Sequence, residues 1–298
     1  MNLSSNPRAY HGVLNLNKPI GLTSRDVVDR VARPLRKIKV GHAGTLDPLA
    51  SGVLVVCVGS ATRLIEYVQR MPKTYFARIR LGATSDTLDA DGRVVETVDP
   101  PIPSRDELNA ALATQIGTIQ QLPPDFSALK IKGERAYDLA RAGKPVTLAA
   151  RPVTITRAEL LTYAWPFADV EIDCGSGTYI RSIARDLGES LGCGGLIEGL
   201  TRKRIGRFSL EDAVEPTDLD RETIARLLRP SLDAVAALPQ VRISVEDREA
   251  IVQGRSIGAE TETSGEVSLI GPHGELVAIA EAIEDGTRLA PRRVLCVD

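Results

Sequence analysis

The first third of the chain alternates hydrophobic and polar residues in patterns that predict strands and helices. An apolar run at residues 13–16 predicts a short strand. Thr23 or Ser24 then caps a helix, because the valines that follow recur on one helical face. Residues 52–58 are rich in β-branched side chains on both faces, which is typical of a buried strand. Residues 74–81 alternate apolar side chains with threonine and arginine, which predicts a half-buried strand with a basic outer face.

Helical and strand periods continue through the middle of the chain. Further helices are predicted at residues 61–68, 105–113, 134–141 and 178–191. An antiparallel pair of strands is predicted at residues 154–163 and 169–174. The last of the helices has the clearest pattern, since Ile180, Ile183 and Leu187 recur at helical spacing and Gly192 follows it.

The pattern changes after about residue 239. Short apolar segments separated by glycine and proline predict strands at residues 242–245, 267–270, 276–280 and 294–297. A chain of 298 residues is long enough for two domains. We therefore predict an α/β body over residues 1–238 and a small β-barrel over residues 239–298.

Composition indicates a soluble, cytoplasmic protein. Hydrophobic residues make up 43% of the chain and charged residues 26%, as in ordinary globular proteins. The longest apolar run, residues 53–58, is far shorter than the roughly 20 residues that cross a bilayer, and we expect no signal peptide. The four cysteines are far apart and form no CxxC pair, so we expect reduced thiols and neither a disulfide framework nor a zinc site.

The net charge of −2 hides an asymmetry along the chain. Residues 1–210 hold 28 basic and 21 acidic side chains, whereas residues 211–298 hold 9 basic and 18 acidic ones. Two clusters, at residues 130–157 and 202–207, concentrate the basic excess. A solvated surface explains any single cluster of this kind. Two clusters on an acidic protein favour a polyanion such as nucleic acid as the partner of the first part.

A glycine-rich loop, GHAGTLDPLASG at residues 41–52, precedes the buried strand and carries one acidic residue, Asp47. A rigid loop at the start of a core strand commonly presents a catalytic group, and Pro48 restricts the direction of the preceding carboxylate. An Asp-Pro pair is also an ordinary turn. The loop lacks the GKS or GKT of a phosphate-binding P-loop, and the chain lacks the HxE and PCxxC of a zinc deaminase. The loop alone leaves the catalytic and structural interpretations of Asp47 equally open.

Two distant residues could act together with Asp47. Arg181 falls in the first turn of the helix at 178–191, where the helix dipole disfavours a cation unless an anion lies nearby. A solvated surface arginine is the alternative. Tyr75 falls on the apolar phase of its strand, so it either packs in the core or stacks on an extruded base. The acidic run at residues 86–92 does not match a calcium-binding loop, and we expect an ordinary polar loop there.

These segments together resemble the bacterial tRNA pseudouridine-55 synthases of the TruB type, and the resemblance extends over nearly the whole chain. The matching motifs are GVLNLNKPIGLTS (12–24), GHAGTLDPLASGVL (41–54), KTYFARIRLG (73–82), TSDTLDADG (84–92), FSALKIKGERAYDLARAG (126–143), GTYIRSIARDLG (177–188), LTRKRIGRF (200–208) and LAPRRV (289–294). Their order and spacing make the resemblance specific. It implies an α+β pseudouridine synthase fold, with a central mixed, mainly antiparallel sheet flanked by helices and loops, plus a small C-terminal PUA-like β-barrel.

The resemblance implies roles for individual residues of these motifs, assigned by matching position. Asp47 corresponds to the essential aspartate of the family, and Arg181 to the arginine that pairs with it. Tyr75 corresponds to the tyrosine that stacks on the target uracil, and His42 to a histidine that packs among the T-loop bases. These four residues are therefore expected to surround the nucleotide that reacts.

Further RNA contacts are implied in the same way. The family is expected to use Tyr179, Leu200 and Lys18 around the pocket. Segment 124–152 corresponds to the RNA-clamping insertion of the family, and its excess of positive charge makes Lys130 an expected RNA contact. The acidic C-terminal part gives less support to a phosphate-binding surface there.

The resemblance implies a cytoplasmic isomerase that converts the T-loop uridine of tRNA into pseudouridine, with Asp47 as nucleophile or base. This reaction requires neither a metal nor a cofactor, and we expect none. The expected partner is the T-arm stem-loop of tRNA, with no membrane, no obligate protein partner and a monomeric chain. Three alternatives stay open: a non-catalytic RNA-binding module, a guide-dependent synthase with protein and RNA partners, and a hydrolase built on Asp47.

Overall fold

The computed structural model describes residues 10–127, 148–258 and 264–295, together with the backbone of residues 130–131 and 134–135. The α-helices of these residues are α1 (Ser24–Leu35), α2 (Ile65–Arg70), α3 (Arg105–Ala113), α4 (Ile180–Ser190), α5 (Arg221–Leu227) and α6 (Val245–Val252). The first nine strands are β1 (Gly12–Lys18), β2 (Val40–His42), β3 (Ala50–Val58), β4 (Lys73–Leu81), β5 (Ala83–Ser85), β6 (Val94–Glu96), β7 (Gly117–Gln121), β8 (Lys130–Ile131) and β9 (Glu134–Arg135). The later strands are β10 (Arg151–Ala164), β11 (Phe167–Cys174), β12 (Gly195–Ile205), β13 (Phe208–Ser209), β14 (Gln240–Arg242), β15 (Ile257–Gly258), β16 (Gly265–Ile270), β17 (Leu276–Ile283) and β18 (Arg288–Val294).

A nine-stranded sheet forms the centre of the molecule. Its order is β1-β3-β12-β4-β11-β10-β7, with β13 paired to β12 and β2 paired to β3. Every pairing in it is antiparallel except that of β3 with β12. The sheet is therefore mixed and mainly antiparallel, which confirms the predicted α+β class.

Local sequence explains the elements that lead into the sheet. Helix α1 begins after Thr23, whose side chain accepts a hydrogen bond from the backbone of Asp26 while the Asp26 carboxylate accepts one in return. Its apolar face, including Val27 and Val31, is buried. Strand β3 is buried along almost its whole length, as its β-branched composition predicts.

Helix α4 packs against one face of the central sheet. Its buried residues Ile183 and Leu187 share a core cluster with Tyr75 and Ile79 of β4. The register of β4 places Tyr75 and Ala77 on this covered face and Arg78 on the opposite, outer face. The predicted basic outer face of this strand is thus confirmed.

The C-terminal part is a five-stranded sheet of order β14-β16-β17-β18-β15. Among the residues that the structure describes, its edge strands β14 and β15 do not pair with each other, so this sheet is open rather than a closed barrel. Its side chains Ile279 and Leu295 share a core cluster with Val53 and Val55 of β3. The C-terminal sheet is therefore packed directly against the body.

The type or the bounds of three predicted elements were wrong. The helix predicted at 134–141 begins with strand β9, and residues 136–141 lie outside the described part of the chain. The strand predicted at 242–245 ends at Arg242, since Ser244 caps helix α6. The strand predicted at 294–297 overlaps only the last residue of β18, which stops at Val294, and residues 296–297 lie outside the described part of the chain. The short polar pieces that cap helices and end strands carry little periodicity, which is why these boundaries were missed.

Candidate active site

The loop at residues 41–52 is fastened at several points near Asp47. Ser24 of α1 donates a hydrogen bond to the carbonyl of Leu46 (3.0 Å) and accepts one from its backbone nitrogen (2.8 Å). Lys18 at the end of β1 is fully buried, and its ammonium group donates to the carbonyl of Pro48 at a long 3.5 Å. The backbone nitrogen of Gly21 donates to the same carbonyl at 2.8 Å. These bonds hold the backbone on both sides of Asp47, so the fold restricts the position of its carboxylate.

Asp47 forms an ion pair with Arg181. The carboxylate oxygen Oδ2 lies 3.0 Å from Nη2 of the arginine, whose side chain is only 8% exposed, against 38% for that of Asp47. Arg181 is in the first turn of α4, where a nearby anion offsets the unfavourable helix dipole. Asp47 is thus an anionic partner of the kind expected for Arg181.

Asp89 is a second carboxylate at Arg181 that the sequence analysis missed. Its Oδ2 lies 3.3 Å from Nη1 of Arg181, and its other oxygen accepts a hydrogen bond from the Thr87 hydroxyl (2.6 Å). Burial raises the pKa of Asp89, although the Thr87 hydrogen bond and the Arg181 charge act in the opposite direction. The acidic run at residues 86–92 is thus more than an ordinary polar loop, because one of its carboxylates is buried against the guanidinium.

Tyr75 lies on β4 with 7% of its surface exposed, and it borders the same cavity as Asp47. Burial raises the pKa of its phenol. The cavity has a volume of about 340 Å³, which lies in the usual range of small-ligand sites. Its walls come from the Asp47 loop, strands β4 and β12 and the start of α4. The lining residues are Gly44, Thr45, Leu46, Asp47, Gln69, Lys73, Tyr75, Ser127, Ser176, Gly177, Thr178, Tyr179, Ile180, Arg181, Leu200 and Arg202.

Two of the other expected contact residues line this cavity, whereas His42 and Lys18 are not among its lining residues. Leu200 and Tyr179 line it directly, and Arg151 stacks over the Tyr179 ring at 5.6 Å from its centre. His42 lies on β2 with its Nδ1 buried and without a hydrogen-bond partner among the described residues; burial lowers its pKa. The side chain of Lys130 lies outside the described residues.

The basic cluster at residues 202–207 does not form one exposed surface. Arg202 is 1% exposed and borders the cavity. Lys203 forms an ion pair with Glu171, and Arg207 forms one with Asp233. Arg202 and Lys203 point to opposite faces of the sheet, because successive side chains of strand β12 alternate.

Two structural features are absent from the described part of the chain. No group of three or more histidine, cysteine, aspartate or glutamate side chains there is arranged to hold a metal ion. No helix there is both long enough and apolar enough to span a membrane.

Two family models match the sequence. The N-terminal domain model of the TruB family pseudouridylate synthases matches residues 32–180, and a C-terminal model of the TruB pseudouridine synthases matches residues 239–295. Curated relatives named tRNA pseudouridine synthase B are similar over most of the chain. The relative from Mycobacterium tuberculosis is 44% identical, covering 83% of this chain and 84% of the relative. The relative from Aromatoleum aromaticum is 40% identical, covering 97% and 94% respectively.

A solved structure supports the same assignment. "Crystal Structure of a Cbf5-Nop10-Gar1 Complex" matches with a TM-score of 0.75 and 26% sequence identity, covering 97% of this chain and 86% of that chain. The motifs of the sequence, the cavity with its aspartate–arginine pair, and these matches agree with one another. The chain belongs to the TruB family of pseudouridylate synthases, and it is an isomerase.

Proposed function

We propose that this chain converts the T-loop uridine of tRNA into pseudouridine, with Asp47 as the catalytic carboxylate. The observation that carries the proposal is the Asp47 carboxylate, which is paired with Arg181 at 3.0 Å and borders the cavity that Tyr75 lines. Relatives named tRNA pseudouridine synthase B support tRNA as the substrate. Because a uridine must leave its stack to be reached, a cavity with an aromatic wall fits this reaction.

The chemistry divides among three residues. The N1–C1′ bond of uridine breaks, the uracil turns, C5 bonds to C1′, and the proton on C5 is finally removed. Asp47 attacks the nucleotide or acts as a base, and it is the one carboxylate among the described residues that line the cavity. Arg181 orients Asp47 through their ion pair. Tyr75 supplies the stacking surface and accepts a proton.

The remaining parts of the chain serve RNA binding in this proposal. His42, Tyr179, Leu200 and Lys18 surround the flipped nucleotide, and Lys130 contacts RNA from the insertion at residues 124–152. The catalytic domain comprises residues 1–238, and residues 239–298 form a PUA-like domain. The direct packing of Ile279 against the β3 cluster supports a fixed position of this domain on the body. The chain acts as a monomer in the cytoplasm.

Replacement of Asp47 by asparagine tests the proposal. The purified wild-type chain alone should form pseudouridine in a synthetic T-arm stem-loop, because a guide-dependent enzyme would be inactive without its partners. Asp47→Asn should lose product formation while binding the same RNA with nearly unchanged affinity, since the side-chain volume is kept and only the reactive oxygen is lost. Chemical mapping of pseudouridine and a filter-binding assay measure the two quantities.

Asp29→Asn provides a matched control for this experiment. Asp29 is an exposed aspartate on α1 that pairs with Arg25, outside the cavity. It should retain the wild-type rate. Full activity of Asp47→Asn would contradict the catalytic assignment, and an inactive wild-type chain would favour a non-catalytic RNA-binding module or a guide-dependent synthase.

A further inference from the structure

Arg202 occupies a central place in the sheet beside the cavity. It lies on β12, the strand between β3 and β4, directly opposite Gly52 on one side and Tyr75 on the other. Side chains directly opposite each other in neighbouring strands are in contact distance. Arg202 therefore stands between the end of the Asp47 loop and the tyrosine that lines the cavity.

The guanidinium of Arg202 fastens that loop through carbonyl oxygens. Its Nε donates to the carbonyl of Val53 (2.8 Å), Nη2 to that of Gly44 (3.1 Å) and Nη1 to that of Thr45 at a longer 3.4 Å. Gly44 and Thr45 precede Asp47, and Val53 follows it. The planar fork of one arginine thus connects both ends of the turn that presents the carboxylate.

Arg202 has no carboxylate partner among the described residues, although its side chain is 1% exposed. Burying a cation without an anion is costly, and an apolar side chain of similar volume is often at least as favourable for stability. The three carbonyl bonds satisfy the nitrogens but leave the positive charge uncompensated. This charge faces the cavity wall that also contains Tyr75.

Tyr75 lies beside the same guanidinium, directly opposite Arg202 in the pairing of β4 with β12. Both side chains border the cavity. Burial raises the pKa of the Tyr75 phenol, and the charge of Arg202 acts in the opposite direction.

We propose that Arg202 is a positioning residue that holds the Asp47 loop in a fixed position beside Tyr75 for the isomerisation. The inference rests on the proposed function. Arg202 acts through Asp47 and Tyr75, so its loss should slow the chemical step more than it weakens RNA binding. Displacement of a reacting group by about 1 Å is enough to lower a rate by roughly 100-fold.

Two substitutions separate this role from general support of the fold. Arg202→Lys keeps the charge and the aliphatic stem, but its single ammonium group cannot replace a planar fork that reaches three carbonyls. Arg202→Met removes the charge as well. The measured quantities are the single-turnover rate constant with saturating T-arm stem-loop, the Kd for the same RNA, and the Tm.

Arg202→Lys should lower the single-turnover rate constant by about 10- to 100-fold, with a Kd within about threefold of wild type and a nearly unchanged Tm. Arg202→Met should be slower still. Arg78→Lys and Arg78→Met are the matched controls, because Arg78 lies on the outer face of β4 and pairs with Asp169. They should react at the wild-type rate.

The outcomes distinguish the inference from the proposed function. An Arg202→Lys rate within about threefold of an active wild type would overturn the inference and leave the proposed function intact. A rate loss matched by parallel losses in Tm and RNA affinity would also overturn it, since that result describes a purely structural residue. If Arg202→Met does not fold, Arg202→Lys alone decides. Absence of product from the wild-type chain would overturn the proposed function and, with it, the inference.

Discussion

The two faces of the central sheet hold charged residues in opposite ways. On the outer face, Arg78 pairs with Asp169, and Arg157 contacts both Glu171 and Asp173. These arginine side chains are 40–51% exposed. On the cavity face, the arginines are almost fully buried. Arg181 is shared by two aspartates, and Arg202 donates its hydrogen bonds among the described residues to backbone carbonyls.

The outer face thus carries exposed ion pairs, whereas the cavity face carries buried charged residues that determine the geometry of the site. Exposed ion pairs contribute only about 0.2–1 kcal/mol each, because water screens both partners. Removing one partner of a buried pair costs about 3–5 kcal/mol, since it leaves an uncompensated charge. Loss of an ion-pair partner therefore has a different cost for an arginine on each face of the sheet. The cost is small on the exposed outer face and large on the buried cavity face.

The largest effect is expected at Gly52, where the backbones of β3 and β12 lie close together. Gly52 has φ +102°, and a Cβ at this position would lie 2.3 Å from the carbonyl oxygen of Arg202. Gly52→Ala should therefore lower the free energy of unfolding by about 3 kcal/mol or more, through backbone strain and overpacking together. Urea denaturation followed by circular dichroism measures this quantity.

Gly117→Ala is the matched control for that substitution. Gly117 begins strand β7 with a similar φ of +107°, but no atom lies within 4 Å of the added Cβ. It should lose only the strain contribution, about 1–2 kcal/mol. Equal losses in the two variants would mean that the contact of β3 with β12 has no special importance.

Much of this arrangement could be predicted from the sequence, and the reason is visible in particular residues. The apolar periods of β3, β4 and α4 are local, so they placed Tyr75 on the covered face and Arg181 in the first helical turn before any fold was known. The resemblance to a family, rather than periodicity, joined both to Asp47. These three residues could be assigned to one site from the sequence only because the motifs that contain them are specific to the family.

The burial of Arg202 and Asp89 could not be predicted in the same way. The segment that contains Arg202 has four cations within six residues, which is typical of a solvated surface. Its burial depends on carbonyls of Gly44 and Val53, about 150 positions earlier in the chain. Asp89 likewise depends on Arg181, 92 positions later. The local sequence around a residue carries no information about its contacts with residues that are distant in the chain.

A smaller but specific effect is expected at Asp89. Asp89→Asn removes one of the two carboxylates that hold Arg181, so Arg181 should orient Asp47 less well. The single-turnover rate constant should fall by about 10- to 100-fold. The Tm should fall less than when a buried cation loses its only partner, because Arg181 keeps its ion pair with Asp47 and the neutral amide avoids burying a charge.

Asp169→Asn applies the same chemical change to the outer face. Asp169 accepts two hydrogen bonds from the Arg78 guanidinium, at 2.8 and 3.0 Å. This variant should keep the wild-type rate constant and lose at most about 1 kcal/mol of stability. If Asp169→Asn slowed the reaction as much as Asp89→Asn, the proposed division between the two faces would be wrong.

The smallest effect is expected for Glu171→Gln on the outer face, and its sign with pH can be worked out. Hydrogen bonds from Lys203 and then from Arg157 hold the pKa of Glu171 below its ordinary value of 4.5. The ionised carboxylate therefore stabilises the folded state above about pH 4.5, and this contribution is lost as the pH falls through the lowered folded-state pKa. The substitution should cost less than about 1 kcal/mol at pH 7, because Arg157 keeps Asp173 as a partner. Denaturation curves of both proteins should converge as the pH falls below 4.5, whereas a difference that persisted in acid would show that Glu171 stabilises the sheet by packing rather than by charge.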